Sequence, residues 1–216
     1  MQYALPSLYP IIDLSCFAGQ ADPVWAIVRY AEELIAAGAT LIQLRNKSQP
    51  DQPRRFLSCA RELRRITLDR ATLIINDRVD LCLAADADGV HLGQDDLTPS
   101  AARRIFDQAK DVKTRIIGFS THNLGQVIAA DTLPVDYIAI GPVFATGSKA
   151  NPDPVVGLEG VRQARRVTKK PLVVIGGITR QNCSQVKDSG ADAVAVISDL
   201  LESPAKAVAD FLRILG

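Results

Sequence analysis

The stretch LVVIGGITRQNCSQVKDSGADAVAVI, residues 172–197, sets the pattern from which the fold can be predicted. It begins with Leu172 to Ile175 and ends with Ala193 to Ile197, two short runs that are apolar at every position. Strands buried on both faces of a parallel sheet have this composition, whereas strands with one solvated face alternate polar and apolar residues. With the polar segment between them, the two runs predict a strand–helix–strand unit.

Similar apolar runs recur along the chain and predict eight strands. They span Leu8 to Ile12, Ala39 to Leu44, Ala71 to Ile75, Gly89 to Leu92, Arg115 to Phe119, Tyr137 to Ile140, Leu172 to Ile175 and Ala193 to Ile197. Apolar positions with helical spacing lie between the runs, at Val24 to Ile27, at Val28 to Leu34, at Ala101, Ile105 and Ala109, and at Ala205 to Leu215. Alternating strands and helices, eight of each, favour a closed (β/α)8 TIM barrel over an open sheet.

Pro10 interrupts the first of these runs. A proline cannot donate the backbone N–H that a buried parallel ladder normally requires. The start of the first strand is therefore in question, and Ile11 is the alternative starting residue.

Length and composition predict a single α/β domain over residues 1–216, near the lower end of the size range for this barrel. Lysine and arginine number 25 and acidic residues 24, without a long basic run, so neither nucleic acid nor a membrane surface is an expected partner. The start carries no export signal, no apolar run is long enough to span a membrane, and the four cysteines are widely spaced. We expect a cytoplasmic protein with small-molecule substrates, and the sequence leaves a homo-oligomer open.

The end of the second predicted strand carries Gln43, Arg45 and Lys47 at alternate positions. Alternate residues of a strand project to one side, and the carboxyl ends of barrel strands line one active-site mouth. Two cations and an amide are thus expected to face that mouth. A solvated strand end followed by a basic turn would explain the same three residues if they stood alone.

Acidic residues follow the third and fourth predicted strands. Asp77 and Asp96 lie on neighbouring loops, and two carboxylates suit Mg²⁺, which completes its coordination with phosphate oxygens and water. The structural alternative is helix capping, which is serious for Asp77. It is weaker for Asp96, because Thr98 and Pro99 already form a helix start, leaving Asp96 without a capping role.

The loops after the fifth and sixth strands supply hydroxyl groups and a lysine. Ser120 follows the fifth strand, and the long connection 141–157 places Thr146, Ser148 and Lys149 around Gly147. That composition suits binding of an oxyanion, although serine and threonine also cap helices and the connection could be only a flexible polar lid.

The ends of the seventh and eighth strands predict a phosphate site. Gly176 and Gly177 follow one strand and Ser198 follows the other, in the region where barrels often hold a substrate phosphate. A glycine pair can also be only a tight turn. With the cations and acids described above, the chain has two predicted anion sites, and a pyrophosphate leaving group would explain the second.

The two histidines, His91 and His122, stand in no evident dyad and are interpreted as structural or polar-contact residues. No serine or cysteine carries a local activating motif, so a protein nucleophile is not expected.

Taken together, these motifs resemble those of the thiamine phosphate synthase family over nearly the whole chain. The matching segments are Gln43-Leu-Arg-Asn-Lys47, Ile75-Asn-Asp-Arg-Val-Asp80, Asp88-Gly-Val-His-Leu-Gly-Gln-Asp-Asp96, Gly118-Phe-Ser-Thr-His122, Gly141-Pro-Val-Phe-Ala-Thr-Gly-Ser-Lys149, Ile175-Gly-Gly-Ile178 and Val196-Ile-Ser198, in the family's order. Asn46 stands where the family often has an acid, and Ser148 replaces a frequent threonine.

The resemblance implies that 4-amino-2-methyl-5-(diphosphomethyl)pyrimidine and a thiazole phosphate condense to thiamine phosphate and pyrophosphate. Pyrophosphate would leave first, and the thiazole nitrogen would attack the resulting pyrimidine-methyl cation. The implied site comprises Gln43 and Asn76 for the pyrimidine; Arg45, Lys47, Ser120 and Lys149 for pyrophosphate; Asp77 and Asp96 for Mg²⁺; and Thr146, Ser148, Gly177, Ile197 and Ser198 for the thiazole phosphate, with Leu44, Asn46 and Gly147 as further substrate contacts.

Two other functions would fit the same barrel. One is a thiazole tautomerase-like relative in which His122 acts as acid or base, although such an enzyme has no need for Arg45, Lys47, Asp77 and Asp96. The other is a non-catalytic, regulatory barrel that binds a phosphate without turnover.

Overall fold

The structure is a computed structural model that describes residues 4–47, 52–109, 114–146 and 153–216. Within these residues eight parallel strands pair in sequence order and close into a barrel, with β8 against β1. The strands are β1 (Leu8–Asp13), β2 (Leu41–Arg45), β3 (Thr72–Asn76), β4 (Gly89–Leu92), β5 (Ile116–Thr121), β6 (Tyr137–Ile140), β7 (Leu172–Ile175) and β8 (Ala193–Val196). The predicted (β/α)8 TIM barrel is confirmed.

A helix follows each strand and packs on the outside of the barrel. The helices are α1 (Pro23–Ala36), α2 (Pro53–Thr67), α3 (Val79–Ala84), α4 (Pro99–Gln108), α5 (Leu124–Asp131), α6 (Gly157–Val167), α7 (Cys183–Asp188) and α8 (Pro204–Leu215). Short 3₁₀ helices, Leu14–Phe17 and Ser198–Leu200, follow β1 and β8. In the described part of the chain no helix has the length and apolar character needed to cross a membrane.

The apolar strands serve two cores because neighbouring residues of a strand point to opposite faces. Ile11 and Leu41 lie in the barrel interior, whereas their neighbours Ile12 and Ile42 pack between the barrel and the helices. Both faces are therefore buried, which explains why the strand sequences do not alternate between polar and apolar residues.

Pro10 lies within β1, so the alternative start at Ile11 is wrong. The strand pairs with β8 from Leu8 to Pro10 and with β2 from Ile11 to Asp13. Pro10 thus falls where the strand changes partner, before its registered pairing with β2 begins, and the missing N–H does not interrupt that pairing.

The buried face of α4 differs from the predicted one. Ala102 and Phe106 are buried, whereas Ile105 is 38% exposed and Ala109 follows the last helical residue. The phase of a short helix is set by contact with the barrel, and an aromatic side chain one residue along offers more apolar area to bury. The predicted helix start is confirmed, because the Thr98 side chain accepts a hydrogen bond from Ala101 N and Pro99 opens the helix.

The amino-terminal end of the barrel carries three repeated ion pairs, which we call the base ion pairs. In each, an aspartate just before an even-numbered strand accepts a hydrogen bond of 2.7 Å from the first or second backbone N–H of the preceding odd-numbered strand. The same aspartate pairs with an arginine from an outer helix. The pairs are Arg64 with Asp88, Arg103 with Asp136, and Arg165 with Asp192.

Candidate active site

The carboxyl ends of the strands surround a cavity of about 730 Å³, which we call the mouth. Every strand or the loop after it contributes to its lining. Of the predicted site residues, the lining includes Gln43, Arg45, Lys47, Asn76, Asp96, Ser120, Thr146, Gly177, Ile197 and Ser198. The fold therefore brings together residues that are separated by as many as 155 positions (43 to 198) in the chain.

Several predicted contacts lie elsewhere. Leu44 is fully buried in the core between barrel and helices, so it can offer a substrate its backbone and not its side chain. Neither Asn46 nor Asp77 is part of the mouth lining. The predicted contacts Gly147, Ser148 and Lys149 lie outside the described residues, as does the middle of the connection predicted as a lid.

Asp77 and Asp96 meet beside Lys47. The Lys47 ammonium lies 2.5 Å from an Asp77 oxygen and 3.8 Å from an Asp96 oxygen. Burial, and then a hydrogen bond shared with Asp96, raise the pKa of Asp77 to about 6, against the opposing charge of Lys47. Burial acts to raise the pKa of Asp96 too, but its hydrogen bonds from Asp77 and from Gly93 N leave it lowered. Below about pH 6 the pair therefore holds one proton, on Asp77.

The backbone at both acids is shaped to bring them together. Asp77 adopts a left-handed conformation with φ of 62°, which is uncommon for a residue other than glycine, and its N–H donates to His91 O at 2.8 Å. Asp96 accepts a hydrogen bond of 2.9 Å from Gly93 N, so it closes the turn after β4. Asp96 does not cap α4, as expected, since Thr98 does so; its structural contact is with the turn instead.

The two carboxylates fit a divalent cation. Their proximity is electrostatically unfavourable unless a proton, an ammonium group or a metal ion lies between them. Among the described residues no third His, Cys, Asp or Glu joins them in a metal-binding group. A hard cation that takes two carboxylates and completes its coordination with substrate oxygens and water matches this donor set, and Mg²⁺ is such a cation.

Arg45 is held by an acid that the sequence did not single out. Its guanidinium donates to Asp13, which is only 5% exposed at the end of β1. The other Asp13 oxygen accepts from Ser15 N at 2.9 Å and from Ser15 Oγ at 2.6 Å. Asp13 therefore fixes the orientation of Arg45 toward the mouth. The register that pairs Asp13 with Arg45 across β1 and β2 decides this contact, and a single sequence does not contain it.

Asn76 presents an unused donor to the mouth. The residue is 7% exposed, and its buried Nδ2 atom has no hydrogen-bond partner among the described residues. Burying an amide N–H without an acceptor costs free energy, so such groups call for an explanation such as a bound ligand or water. A ligand acceptor at the mouth would satisfy it.

A chain of buried hydrogen bonds crosses the barrel beneath the mouth. Gln43 Nε2 donates to Tyr9 Oη at 2.9 Å, and Tyr9 Oη lies 2.9 Å from Tyr137 Oη. Tyr137 Oη lies 2.9 Å from His91 Nδ1, and His91 Nε2 lies 2.8 Å from Ser120 Oγ. We call these five residues the buried chain. Sequence reasoning missed both tyrosines, and the available signal was a phenol among mostly aliphatic strand residues.

The two histidines have different surroundings. Burial lowers the pKa of His91 to about 4, so its imidazole is neutral at physiological pH. His122 Nδ1 lies 2.8 Å from Gly141 O and 3.4 Å from an Asp153 oxygen, and the ring lines the mouth. His91 agrees with its interpretation as a polar-contact residue. His122 has an acidic neighbour that its sequence position did not indicate.

The glycine pair after β7 allows the neighbouring loop to approach closely. Gly176 and Gly177 have φ values of 103° and 64°, a conformation that side chains disfavour. A Cβ atom at Gly177 would lie 2.5 Å from Ala145 O, on the connection after β6. Arg180 then joins the next loop through Asp199, which follows Ser198 in a 3₁₀ helix. The loops after β6, β7 and β8 thus form one packed wall.

Comparison with known proteins gives consistent results. A family model described as Thiamine monophosphate synthase matches residues 10–200. A thiamine-phosphate synthase of Koribacter versatilis is 51% identical over 211 residues, covering 98% of this chain and 96% of that protein. One from Methanoregula boonei is 43% identical, with 91% and 86% covered. The solved thiamine phosphate pyrophosphorylase of Pyrococcus furiosus is 33% identical and superposes with a TM-score of 0.81, covering 97% and 95%.

Proposed function

Because the chain belongs to the thiamine monophosphate synthase family, we propose that its mouth joins a pyrimidine carrying a diphosphate to a thiazole phosphate. The products are thiamine phosphate and pyrophosphate. The chain is accordingly a transferase of thiamine biosynthesis, and its substrates are small molecules. The observation that carries the proposal is the convergence of two cations, one of the paired acids and an unsatisfied amide donor on one cavity of about 730 Å³.

The pyrimidine would bind deepest, between Gln43 and Asn76. Both side chains lie at the floor of the mouth and are less than a tenth exposed. The unsatisfied Nδ2 donor of Asn76 needs an acceptor, and an aromatic nitrogen of the pyrimidine could provide one. Gln43 already donates to Tyr9, which leaves its carbonyl oxygen available to accept from the exocyclic amine.

Cationic groups at the rim would stabilise the leaving group. Arg45, oriented by Asp13, and Lys47 line the mouth on the β2 side, with Ser120 across from them. Lys149 remains a proposed fourth contact. As the C–O bond to pyrophosphate breaks, negative charge accumulates on the leaving oxygens, and preorganised donors and cations lower the barrier by several kcal/mol. Lys47 would exchange its contact with the two acids for one with pyrophosphate.

Mg²⁺ is the proposed cofactor, held by Asp77 and Asp96. When bound, it would neutralise charge on the pyrophosphate and thereby make it a better leaving group.

The thiazole phosphate would bind at the packed wall formed by the loops after β6, β7 and β8. Thr146, Gly177, Ile197 and Ser198 line the mouth there, and Ser148 is a further proposed contact. Phosphates commonly bind in this part of TIM barrels, where backbone N–H groups and a short extra helix face the ligand. This arrangement leaves the thiazole nitrogen to attack the pyrimidine methylene, forming the new C–N bond.

The residues of the mouth agree with a reaction that needs no protein nucleophile. The chain would bind and align two substrates and exclude water from the carbon centre. The cytoplasm remains the proposed compartment, and among the described residues no disulfide joins the four cysteines, as expected in a reducing environment.

The test is pyrophosphate release by the purified protein with both substrates, with and without Mg²⁺, and with thiazole phosphate omitted. We expect Mg²⁺-dependent release coupled to thiamine phosphate formation. Binding of thiazole phosphate without any release would refute the proposal and favour a phosphate-binding barrel.

A tautomerase-like activity is the second candidate, since His122 lines the mouth 3.4 Å from Asp153. It predicts turnover of a thiazole phosphate alone, without Mg²⁺ and abolished by His122→Asn. The close acids and the cations of the β2 end would have no purpose in that reaction, so we favour the synthase.

A further inference from the structure

Three residues of the buried chain, Tyr9, Tyr137 and His91, have no role in the proposed reaction so far, yet the barrel is built to accommodate them. His91, Gly118 and Tyr137 lie at one level on three successive strands, by the registers of β4 with β5 and of β5 with β6. A Cβ atom at Gly118 would lie 2.0 Å from Tyr137 Cζ. The missing side chain therefore lets the Tyr137 ring cross β5 and stack on His91, with centroids 5.6 Å apart and planes at 20°.

The donor and the acceptor of each hydrogen bond in the buried chain can be assigned in turn, starting from Gln43. Gln43 donates an amide hydrogen to Tyr9, so the Tyr9 oxygen is an acceptor there and its own hydrogen can point to Tyr137. In the arrangement in which Tyr9 donates to Tyr137, the Tyr137 hydrogen is available to His91 Nδ1, 2.9 Å away. Each hydroxyl thus accepts from one neighbour and donates to the next.

The same donor-to-acceptor order continues from His91 to Ser120. A neutral imidazole has one donor and one acceptor nitrogen. His91 is 8% exposed, and both of its ring nitrogens contact hydroxyl groups, which can accept from one nitrogen and donate to the other. If Nδ1 accepts from Tyr137, the proton is on Nε2, and Nε2 donates to Ser120 Oγ at 2.8 Å. The Ser120 oxygen then accepts a hydrogen bond from His91. The Ser120 hydroxyl hydrogen is left to point into the mouth, which Ser120 lines.

We propose that Tyr9, Tyr137 and His91 are positioning residues that make Ser120 a hydrogen-bond donor to the departing pyrophosphate. The inference rests on the proposed function, because it needs a leaving group at Ser120. None of the three touches the reacting atoms in this role; they act by setting which nitrogen of His91 carries the proton. A donor aimed in advance at developing negative charge needs no reorganisation during the reaction.

The donor-to-acceptor direction of the hydrogen bonds in the buried chain can be measured without an activity assay. The protein has only two histidines, so ¹⁵N-imidazole spectra of wild type and His122→Asn assign His91 directly. We expect Nε2 protonated and Nδ1 unprotonated. A protonated Nδ1 in the wild type would overturn the proposal, because Ser120 would then donate to His91 and present only its oxygen to the mouth.

The second test is a double-mutant cycle on turnover. Tyr137→Phe removes one oxygen and should slow pyrophosphate release on the order of tenfold, the lower end of what a lost supporting hydrogen bond costs at a site. In a Ser120→Ala background the same change should alter the rate less than about twofold, because its effect passes through the serine.

Tyr30→Phe is the matched control. Tyr30 is buried in the outer core, and its hydroxyl has no hydrogen-bond partner among the described residues, so the same atom is removed without breaking a contact. We expect wild-type turnover. Thermal unfolding of each variant checks the fold, and Tyr9→Phe replaces Tyr137→Phe should the latter not fold, with a smaller slowing that also vanishes without Ser120.

The outcomes separate the two proposals. Absence of pyrophosphate release by the wild type refutes the proposed function. An active wild type in which Tyr137→Phe turns over like Tyr30→Phe, or in which the Tyr137 and Ser120 effects multiply, refutes the role of the buried chain and leaves the synthase proposal standing.

Discussion

The two ends of the barrel use the same residue types in opposite ways. At the amino-terminal end, each base ion pair couples one aspartate to one arginine and to a strand N–H, as in Asp136 with Arg103 and Ile117 N, both at 2.7 Å. At the mouth, Asp77 and Asp96 face each other and share one lysine. In each base ion pair the acid contacts a cation of its own, whereas at the mouth two acids share one lysine.

The difference shows that the base ion pairs stabilise the folded chain, whereas groups at the mouth destabilise it. Matched charges with satisfied hydrogen bonds hold successive strands together, in keeping with the structural role of the bottom of TIM barrels. Paired acids and a buried amide without an acceptor are each unfavourable in the free protein. They become favourable only when cations and substrates bind. Mutations should therefore separate activity from stability by the end of the barrel on which they fall.

The largest effect is expected for Asp96→Asn. The amide can still accept from Gly93 N, so the turn after β4 is kept, but the negative charge proposed to hold Mg²⁺ is lost. We expect Mg²⁺-dependent turnover to fall by roughly a thousandfold, in line with several kcal/mol of charge stabilisation. The free energy of unfolding should stay constant or rise, since the repulsion with Asp77 disappears. Steady-state kinetics and denaturant unfolding measure both.

The control for this change is Asp107→Asn, an exposed aspartate of α4 that does not line the mouth. It should cost less than about threefold in turnover. Full activity of Asp96→Asn at low Mg²⁺ would contradict the proposed metal site.

A smaller effect, on the pH dependence of stability, follows from the buried imidazole of His91. Its pKa is about 4 in the folded chain, against the ordinary imidazole value of 6.5, so between these values the unfolded chain binds more protons. The free energy of unfolding is then highest above pH 6.5 and falls as the pH drops toward 4, by roughly 3 kcal/mol from this residue. His91→Asn lacks this titration. The difference in stability between the two proteins should narrow in acid, and parallel curves would show that His91 is not buried as a neutral group.

Asp136→Ala tests the base ion pairs at the amino-terminal end of the barrel. It removes the partner of Arg103 and the acceptor of the Ile117 N–H, and should lower the free energy of unfolding by about 2 kcal/mol. Turnover per folded molecule should not change. Asp107→Ala, an exposed change on the same helix as Arg103, should lie within about 0.5 kcal/mol of wild type. A loss of turnover without a loss of stability in Asp136→Ala would remove the distinction between the two ends.

The fold was predictable because it depends on local patterns. Eight apolar runs indicated the strands, and residues such as Thr98 marked helix starts. The errors came from tertiary context. The rotation of α4, which buries Phe106 and exposes Ile105, is decided by packing against the barrel, and Pro10 is tolerated because β1 changes partner there.

The mouth was predictable where a residue both lies at a strand end and carries a charge or amide, as Arg45 and Asn76 do. What supports these residues was not predictable. Asp13 reaches Arg45 through the register of β1 with β2, and Tyr137 reaches His91 only because Gly118 leaves space on the strand between them. Contacts between side chains of different strands depend on register, which short apolar runs leave undetermined.

The smallest effect is expected for Asp80→Ala, although Asp80 belongs to the same sequence motif as Asp77. Its carboxylate pairs with Arg78 through contacts of 2.8 and 2.5 Å, and these contacts lower the pKa of Asp80. The side chains are 62% and 40% exposed, however, and exposed pairs contribute less than about 1 kcal/mol. A depressed carboxyl pKa adds stability above its unfolded value and loses it as the pH falls, so Asp80→Ala should match wild type in acid and differ by at most about 0.5 kcal/mol at pH 7. Turnover should also be unchanged, since Asp80 does not line the mouth. Denaturant unfolding at both pH values, with pyrophosphate release at pH 7, measures this, and a loss of turnover approaching that of Asp96→Asn would extend the catalytic region beyond the crowded acids.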